Sequence, residues 1–240
     1  MEEETMKKPI IVMMWGSCLD STFTNHAMML SKSYAAAITA AGGIPVMPLV
    51  QEQIPELLAL GDGLLLPGGM SFVPRAALSQ VLKAERFSRQ SHFESELYQA
   101  FRKAGKPVLG ICAGFQKISC EEGGNLVLDF RHEKGIEHHL GSTHGAVCSE
   151  NSKMRRFFGE KTRVNSYHGY RLNKIGSGLR VTMRSDDGVP EAVEHETLPI
   201  IATQWHPERA RGDFPNPPEG PSSESLFSWF MEACRNSKLG

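Results

Sequence analysis

At 240 residues the chain is long for one domain and short for two, and an open α/β sheet built around a single core suits that length. Its hydrophobic fraction of 40% and charged fraction of 22% are ordinary for a globular protein. A formal net charge of -1 gives no electrostatic basis for binding nucleic acid or an anionic membrane, so the expected ligand is a small molecule.

The chain begins with acidic and then basic residues (Glu2, Glu3, Glu4, Lys7, Lys8). The apolar run Ile10 to Trp15 that follows is too short for a signal sequence or membrane span, so a cytosolic location is expected. Ile10 to Met14 reads as a buried strand, and Asn25 to Ala41 as a helix, with Met28, Met29, Ala35, Ile38 and Ala41 at helical spacing before Gly42-Gly43. Ile44 to Leu49 reads as an edge strand, because Pro45 and Pro48 each remove a ladder donor. Ile54 to Leu60 is a short helix ending at Gly61, and Gly63 to Leu66 a buried strand broken by Pro67-Gly68-Gly69. The segment to about Gln90 is expected to be loop with a short helix, followed by a helix from about His92 to Lys103. Pro107 to Ile111 is a strand and Ala113 to Cys120 a helix closed by Gly123-Gly124. This βα alternation predicts a mainly parallel sheet covered on both faces.

The second half offers short strands at Arg163 to Asn165, Leu179 to Met183, Glu191 to Glu194 and Ile200 to Gln204, which suit an antiparallel extension of the sheet. Gly212 to Pro221 is Pro-rich and loop-like, and Ser225 to Ala233 carries Leu226, Phe227, Phe230 and Met231 on one helical face. The five cysteines (Cys18, Cys112, Cys120, Cys148, Cys234) form an odd set without a close Cys-x-x-Cys pair. Reduced thiols are expected, not a disulfide framework or a zinc knuckle.

Gly110-Ile111-Cys112-Ala113-Gly114 sets a cysteine between small residues where a buried strand meets a helix, the thiol counterpart of a nucleophile elbow. The helix N-terminus favours a thiolate there. The pentapeptide alone also fits a small buried cysteine that fills space. Gln204-Trp205-His206-Pro207-Glu208 tips the balance, since it ends an apolar strand with a base and a carboxylate two residues apart. In extended chain these share a side, and Pro207 is expected to keep the segment from turning helical, so that Glu208 can orient the imidazole. Nucleophile, base and orienter thus all stand at strand ends, where open α/β sheets bind ligands.

Seven motifs, in chain order, carry a resemblance: Leu66-Pro-Gly-Gly69, Val108-Leu-Gly-Ile-Cys-Ala-Gly-Phe-Gln116, Gly123-Gly-Asn-Leu126, Val164-Asn-Ser-Tyr-His168, Arg184-Ser-Asp-Asp-Gly188, Glu191-Ala-Val-Glu194 and Gln204-Trp-His-Pro-Glu208. Together they resemble the class I glutamine amidotransferase-like superfamily, and within it the γ-glutamyl-γ-aminobutyrate hydrolase-like branch, the C26 peptidases. The resemblance implies one flavodoxin-like α/β domain over residues 1–240, with an open, mostly parallel sheet, helices on both faces and a small antiparallel extension. It implies Cys112 as nucleophile, His206 as general base and Glu208 as its orienter. The N–H groups of Gly69 and Ala113 would form the oxyanion hole, and Gly68 would line the substrate. Gln116, Ser166, Tyr167 and His168 would hold the substrate's α-amino and α-carboxylate groups. The chain departs from the branch at Ala113, at Gln90-Ser91 and at Ser71, positions often occupied there by Arg, Arg-Asp and Asp; this bears on outer substrate contacts and leaves the triad intact.

The implied reaction is hydrolysis of a γ-glutamyl amide to glutamate and an amine, without a cofactor. The alternative is a glutaminase subunit that supplies ammonia to a separate synthetase, and a catalytically dead binding protein is a third class, against which the intact triad argues. A γ-glutamyl small molecule is the expected partner, nucleic acid and membrane are not, and a homodimer is compatible. The run His132, Glu133, Glu137, His138, His139, His144 matches no compact zinc spacing, and Gly135, Gly141 and Gly145 mark it as loop, so no metal site is expected. Arg75, Lys83, Arg86 and Arg89 could form an anion-binding patch but suit a solvated helix face at least as well, so no function is assigned to them.

Overall fold

A computed structural model of the chain describes residues 7–15, 30–48, 53–69, 84–128, 140–209 and 222–237, with the backbone alone at 84–91, 128 and 140. The expectations for Asn25 to Met29, Leu49, Ser71 to Lys83, His132 to His139, Gly212 to Pro221 and Cys18 lie outside the described residues.

Five strands form the parallel half of the sheet: β1 (Ile10–Met13), β2 (Ile44–Val46), β3 (Gly63–Leu66), β4 (Val108–Ile111) and β11 (Ile200–Thr203). Their order, β2-β1-β3-β4-β11, is that of a flavodoxin-like sheet, with the switch point between β1 and β3. β2 lies at the edge, where its proline removes no needed donor. Four antiparallel strands continue the sheet from β11: β10 (Pro190–His195), β9 (Leu179–Ser185), β6 (Leu140–Cys148) and β7 (Lys161–Tyr167). β5 (Asn125–Leu128) and β8 (Tyr170–Lys174) pair separately.

Strand periodicity sorts the core into two layers. Ile11, Leu65, Leu109, Ile111 and Ile201 face α1 (Lys32–Ala40) and α6 (Glu224–Asn236). Their alternates Val12, Leu64, Leu66, Val108 and Ala202 face α2 (Ile54–Leu60), α3 (Ala84–Lys103) and α4 (Ala113–Glu121). α6 buries Leu226, Phe227, Phe230, Met231 and Cys234, an i, i+1, i+4, i+5, i+8 face, and α3 buries Phe93, Glu94, Leu97, Tyr98 and Phe101 with the same spacing.

Several boundaries differ from the sequence reading. α1 starts at Lys32 because Ser31 caps it, its hydroxyl accepting from Ser33 N. α3 begins at Ala84, eight residues before His92. Gly141 and Gly145 lie within β6, not in a loop: β6 pairs with β7 on one side and β9 on the other, and that tertiary pairing outweighs two glycines. β5, β8 and the short α5 (Lys153–Phe158) were not foreseen; α5 depends on Glu194, whose Oε1 accepts from Lys153 N at 2.8 Å and Met154 N at 3.1 Å. Among the described residues no helix is long and apolar enough to cross a membrane.

Phe230 is fully buried between α6 and the sheet. Phe230→Ala is expected to destabilise the fold by about 3–5 kcal/mol, read as a lower urea midpoint at unchanged slope.

Candidate active site

Three strands of the parallel half run out into one corner. β3 leads into Pro67-Gly68-Gly69, β4 into Cys112, and β11 into Gln204-Trp205-His206. Cys112 N donates to Thr203 O at 2.7 Å, which extends the β4–β11 ladder and keeps the two strand ends level. Cys112 itself has φ 52 and ψ -102, a backbone state that costs a non-glycine residue about 1–3 kcal/mol, and it caps the N-terminus of α4. Close packing sustains that turn. A Cβ on Gly114 would stand 2.1 Å from Leu66 O, so the first turn of α4 rests directly on the β3 backbone. A Cβ on Gly68 would lie 2.7 Å from His206 Cε1 and 3.1 Å from Cys112 Cβ, so only glycine lets the loop after β3 touch both side chains.

His206 Nδ1 donates to Glu208 Oε1 at 2.7 Å, and the ring also hydrogen-bonds Cys112. Both His206 and Glu208 are buried. Burial alone would lower the imidazole's pKa, but the Glu208 charge, the Cys112 sulfur and hydrogen bonds to both push it up to about 10. The ring is thus an imidazolium at neutral pH, held between carboxylate and sulfur. Extended chain is not what joins the pair: Pro207–Arg209 is a single 3-10 turn, closed by Arg209 N on His206 O at 3.2 Å. Proline suits the first position of such a turn, and the tight curl brings the Glu208 carboxylate back to Nδ1. Burial pushes the thiols of Cys120 and Cys148 up to about 11, which makes them poor nucleophiles beside this arrangement.

Two residues hold the corner that the sequence reading did not assign. Asn165 on β7 grips the backbone of His206 twice: its Oδ1 accepts from His206 N and its Nδ2 donates to His206 O, each at 2.9 Å. It lies in the Val164 to His168 motif, and its amide has the donor-acceptor pair that a peptide unit needs; that was the available signal. Tyr34 on α1 accepts from Gly68 N at 2.8 Å through its hydroxyl. Burial, then the charges of Glu208 and Cys112, raise the phenol's pKa well above its usual value, so Tyr34 stays neutral. Nothing in its helical neighbourhood in sequence marks it.

The remaining candidates divide. Tyr167 stands at the site, its ring edge-on to His206 at 5.8 Å with the Arg209 guanidinium 4.5 Å above its centroid. Gly69, with φ 149, follows Gly68 in the loop beside Cys112, and Ala113 opens α4, where backbone N–H groups have no partner in the helix. Gln116 is buried and braces the interior, its Nε2 donating to Gln204 Oε1 at 3.1 Å and Tyr170 O at 3.4 Å. Ser166 is buried too, and His168 engages both ring nitrogens within the protein, Nδ1 with Tyr170 O and Nε2 toward Glu191.

The sequence model of the peptidase C26 family matches residues 13–208. The chain belongs to that family. Among its relatives, the γ-glutamyl-γ-aminobutyrate hydrolase of Escherichia coli O157:H7 is 28% identical over 257 residues, covering 98% of this chain and 96% of its own. The γ-glutamyl-γ-aminobutyrate hydrolase PuuD of E. coli K12 is 27% identical with the same coverage, 98% and 96%. The glutaminase domain of Trypanosoma brucei CTPS, solved with bound acivicin, superposes with a TM-score of 0.64 at 19% identity over 95% of this chain and 94% of that one, so the fold is shared. The C26 family and these relatives make the chain a hydrolase of the glutamine amidotransferase-like type.

Asn165→Ala strands the buried N–H of His206 and removes one of the two donors to its carbonyl, which keeps Arg209 N; a stability loss of about 1–3 kcal/mol is expected, with kcat falling more than KM rises. Normal kcat in a folded variant would remove Asn165 from the site. His206 is protonated below its raised pKa and neutral above it, so its imidazole NMR signals should titrate far above 6.5, toward 10. Glu208→Gln should move that titration to lower pH and reduce kcat by roughly 10²–10⁴-fold. A titration indifferent to the substitution would separate Glu208 from the imidazole.

Proposed function

We propose that the chain hydrolyses a γ-glutamyl amide through a thioester on Cys112, releasing glutamate and an amine, with His206 as acid and base and Glu208 as its orienter. The observation that carries this reading is the run of contacts from Glu208 through His206 to a cysteine held at a positive-φ strand-to-helix turn.

The sulfur adds to the δ-carbonyl carbon and the carbonyl π pair moves onto oxygen, where the N–H groups of Gly69 and Ala113 stabilise it. Gly69 is preferred to Gly68 because the Gly68 N–H already donates to Tyr34. Collapse breaks the C–N bond as the His206 imidazolium gives its proton to the leaving amine. The neutral ring then takes a proton from water, whose oxygen adds to the thioester; a second collapse frees glutamate and restores the thiolate and imidazolium. This sequence needs no partner protein and runs alike in a monomer or a homodimer.

The acyl half of the substrate is common to all γ-glutamyl amides, so specificity falls to the amine side. Two relatives are named for γ-glutamyl-γ-aminobutyrate. The Arg209 cation stacked on Tyr167 beside His206 supports amines that carry a carboxylate. Conjugates of small amines or amino acids are accordingly expected to be cleaved better than glutamine, whose bare amide forgoes those contacts in the transition state. The test is kcat/KM on glutamine and on a γ-glutamyl amine series, with Cys112→Ala as the inactive control. Glutamine as the best substrate, or turnover only after a synthetase is supplied, would replace this reading with the glutaminase one. Turnover retained in Cys112→Ala would end both.

A further inference from the structure

Outside the Cys112 corner, the antiparallel half of the sheet gathers three side chains of metal-ligand chemistry from distant parts of the chain. His144 comes from β6, His168 from the turn between β7 and β8, and Glu191 from β10. Their ligand atoms all lie within 4.8 Å of one another. Glu191 is wholly buried, His168 nearly so, and the His144 side chain is 10% exposed.

The sheet is irregular at this point. Pro190 pairs with Arg184 and Ala192 with Met183, so Glu191 is the extra residue of a bulge on β10. Bulges re-aim a side chain, and this one gives Glu191 a different task from Glu194 of the same motif, which binds the N-terminus of α5.

Both imidazoles are oriented alike. His168 Nδ1 meets Tyr170 O at 3.0 Å and His144 Nδ1 meets Gly145 O at 3.1 Å. A carbonyl oxygen only accepts, so each Nδ1 donates, and each Nε2 is turned toward Glu191. Metal-bound histidines have this outer hydrogen bond as a rule. Glu191 Oε1 is 3.5 Å from His144 Nε2 and 3.4 Å from His168 Nε2. These separations exceed the roughly 2.7–2.9 Å of a charge-assisted hydrogen bond. They match the edge of a tetrahedron with metal–ligand bonds of about 2.0–2.2 Å, which is about 3.3–3.5 Å.

We infer that His144, His168 and Glu191 form a binding site for a divalent first-row transition cation, zinc foremost, which ties β6, the β7–β8 turn and β10 together. Two imidazoles and one carboxylate suit zinc and not calcium or magnesium, which need more oxygen ligands. Solvent would fill the fourth position. The site lies outside the acyl-transfer steps, so it stands or falls independently of the proposed hydrolysis. Ligand residues 144, 168 and 191 come from three separate elements, and for that reason no compact spacing in the His-rich run discloses them.

The test is zinc titration of chelator-stripped protein against a chromophoric competitor, with metal analysis after dialysis and thermal melts with and without zinc. It is run on the wild type and on Cys112→Ala, since the Cys112–His206 pair is itself a zinc trap. One zinc per chain, a raised Tm and a cobalt derivative with the visible bands of a four-coordinate N/O site are expected in both proteins. His144→Ala and Glu191→Gln should each weaken binding at least tenfold, whereas His92→Ala, which removes the exposed His92–Glu96 pair on α3, should not. The inference is overturned if wild-type protein binds no zinc and its Tm does not move, which leaves an imidazolium–carboxylate cluster. It is overturned equally if binding vanishes in Cys112→Ala or His92→Ala, which would place the ion at the thiol or at the surface pair.

Discussion

The turn between β4 and α4 must hold Cys112 at φ 52, and the surrounding structure is arranged so that this unfavourable backbone state has no easier alternative. β4 is flanked by β3 and β11 and entirely buried, so the strand cannot shift to relieve the turn. The helix that follows cannot retreat either, because Gly114 sits against the β3 carbonyl with no room for a side chain. A strain of about 1–3 kcal/mol is thereby locked into the fold, and its effect is to raise the thiol above the sheet beside His206.

The second constraint is electrostatic. A carboxylate as buried as Glu208 needs a cation, and the His206 imidazolium supplies it at 2.7 Å. The same carboxylate favours the charged ring, which raises the imidazole's pKa well above its ordinary value. Position here matters as much as charge. Asn165 fixes both backbone groups of His206, and Tyr34 fixes the glycine loop opposite, so the imidazole is confined from two sides by elements that never touch each other in sequence.

The antiparallel half of the sheet is consequently more than an extension. β7 delivers Asn165 and Tyr167 to the Cys112 corner, and β10 runs beside β11 with Gln204 N bonded to Glu191 O. Removing these strands would leave the end of β11, and with it His206, supported by β4 on one side alone.

The parallel half, the two-faced core and the candidate groups Cys112, His206 and Glu208 could be picked out in the sequence, because each depends on local signals: unbroken apolar runs for buried strands, helical spacing in α6, glycines around Cys112, and a base and acid two residues apart. What could not be read locally was settled by contacts between distant segments. β6 contains two glycines and a histidine and forms only because β7 and β9 pair with it on either side. Glu208 reaches His206 through a 3-10 turn whose curl depends on the surrounding packing, not on extended periodicity. Gln116 and His168 carry motif positions that resemblance assigns to substrate, yet their nitrogens are engaged by Gln204, Tyr170 and Glu191, partners up to 88 residues away. Asn165, Tyr34 and the meeting of His144, His168 and Glu191 belong to the same class. A sequence specifies which groups are present and their local conformation, whereas hydrogen bonds and ligand geometry depend on distances of a few tenths of an ångström that only the packed chain defines.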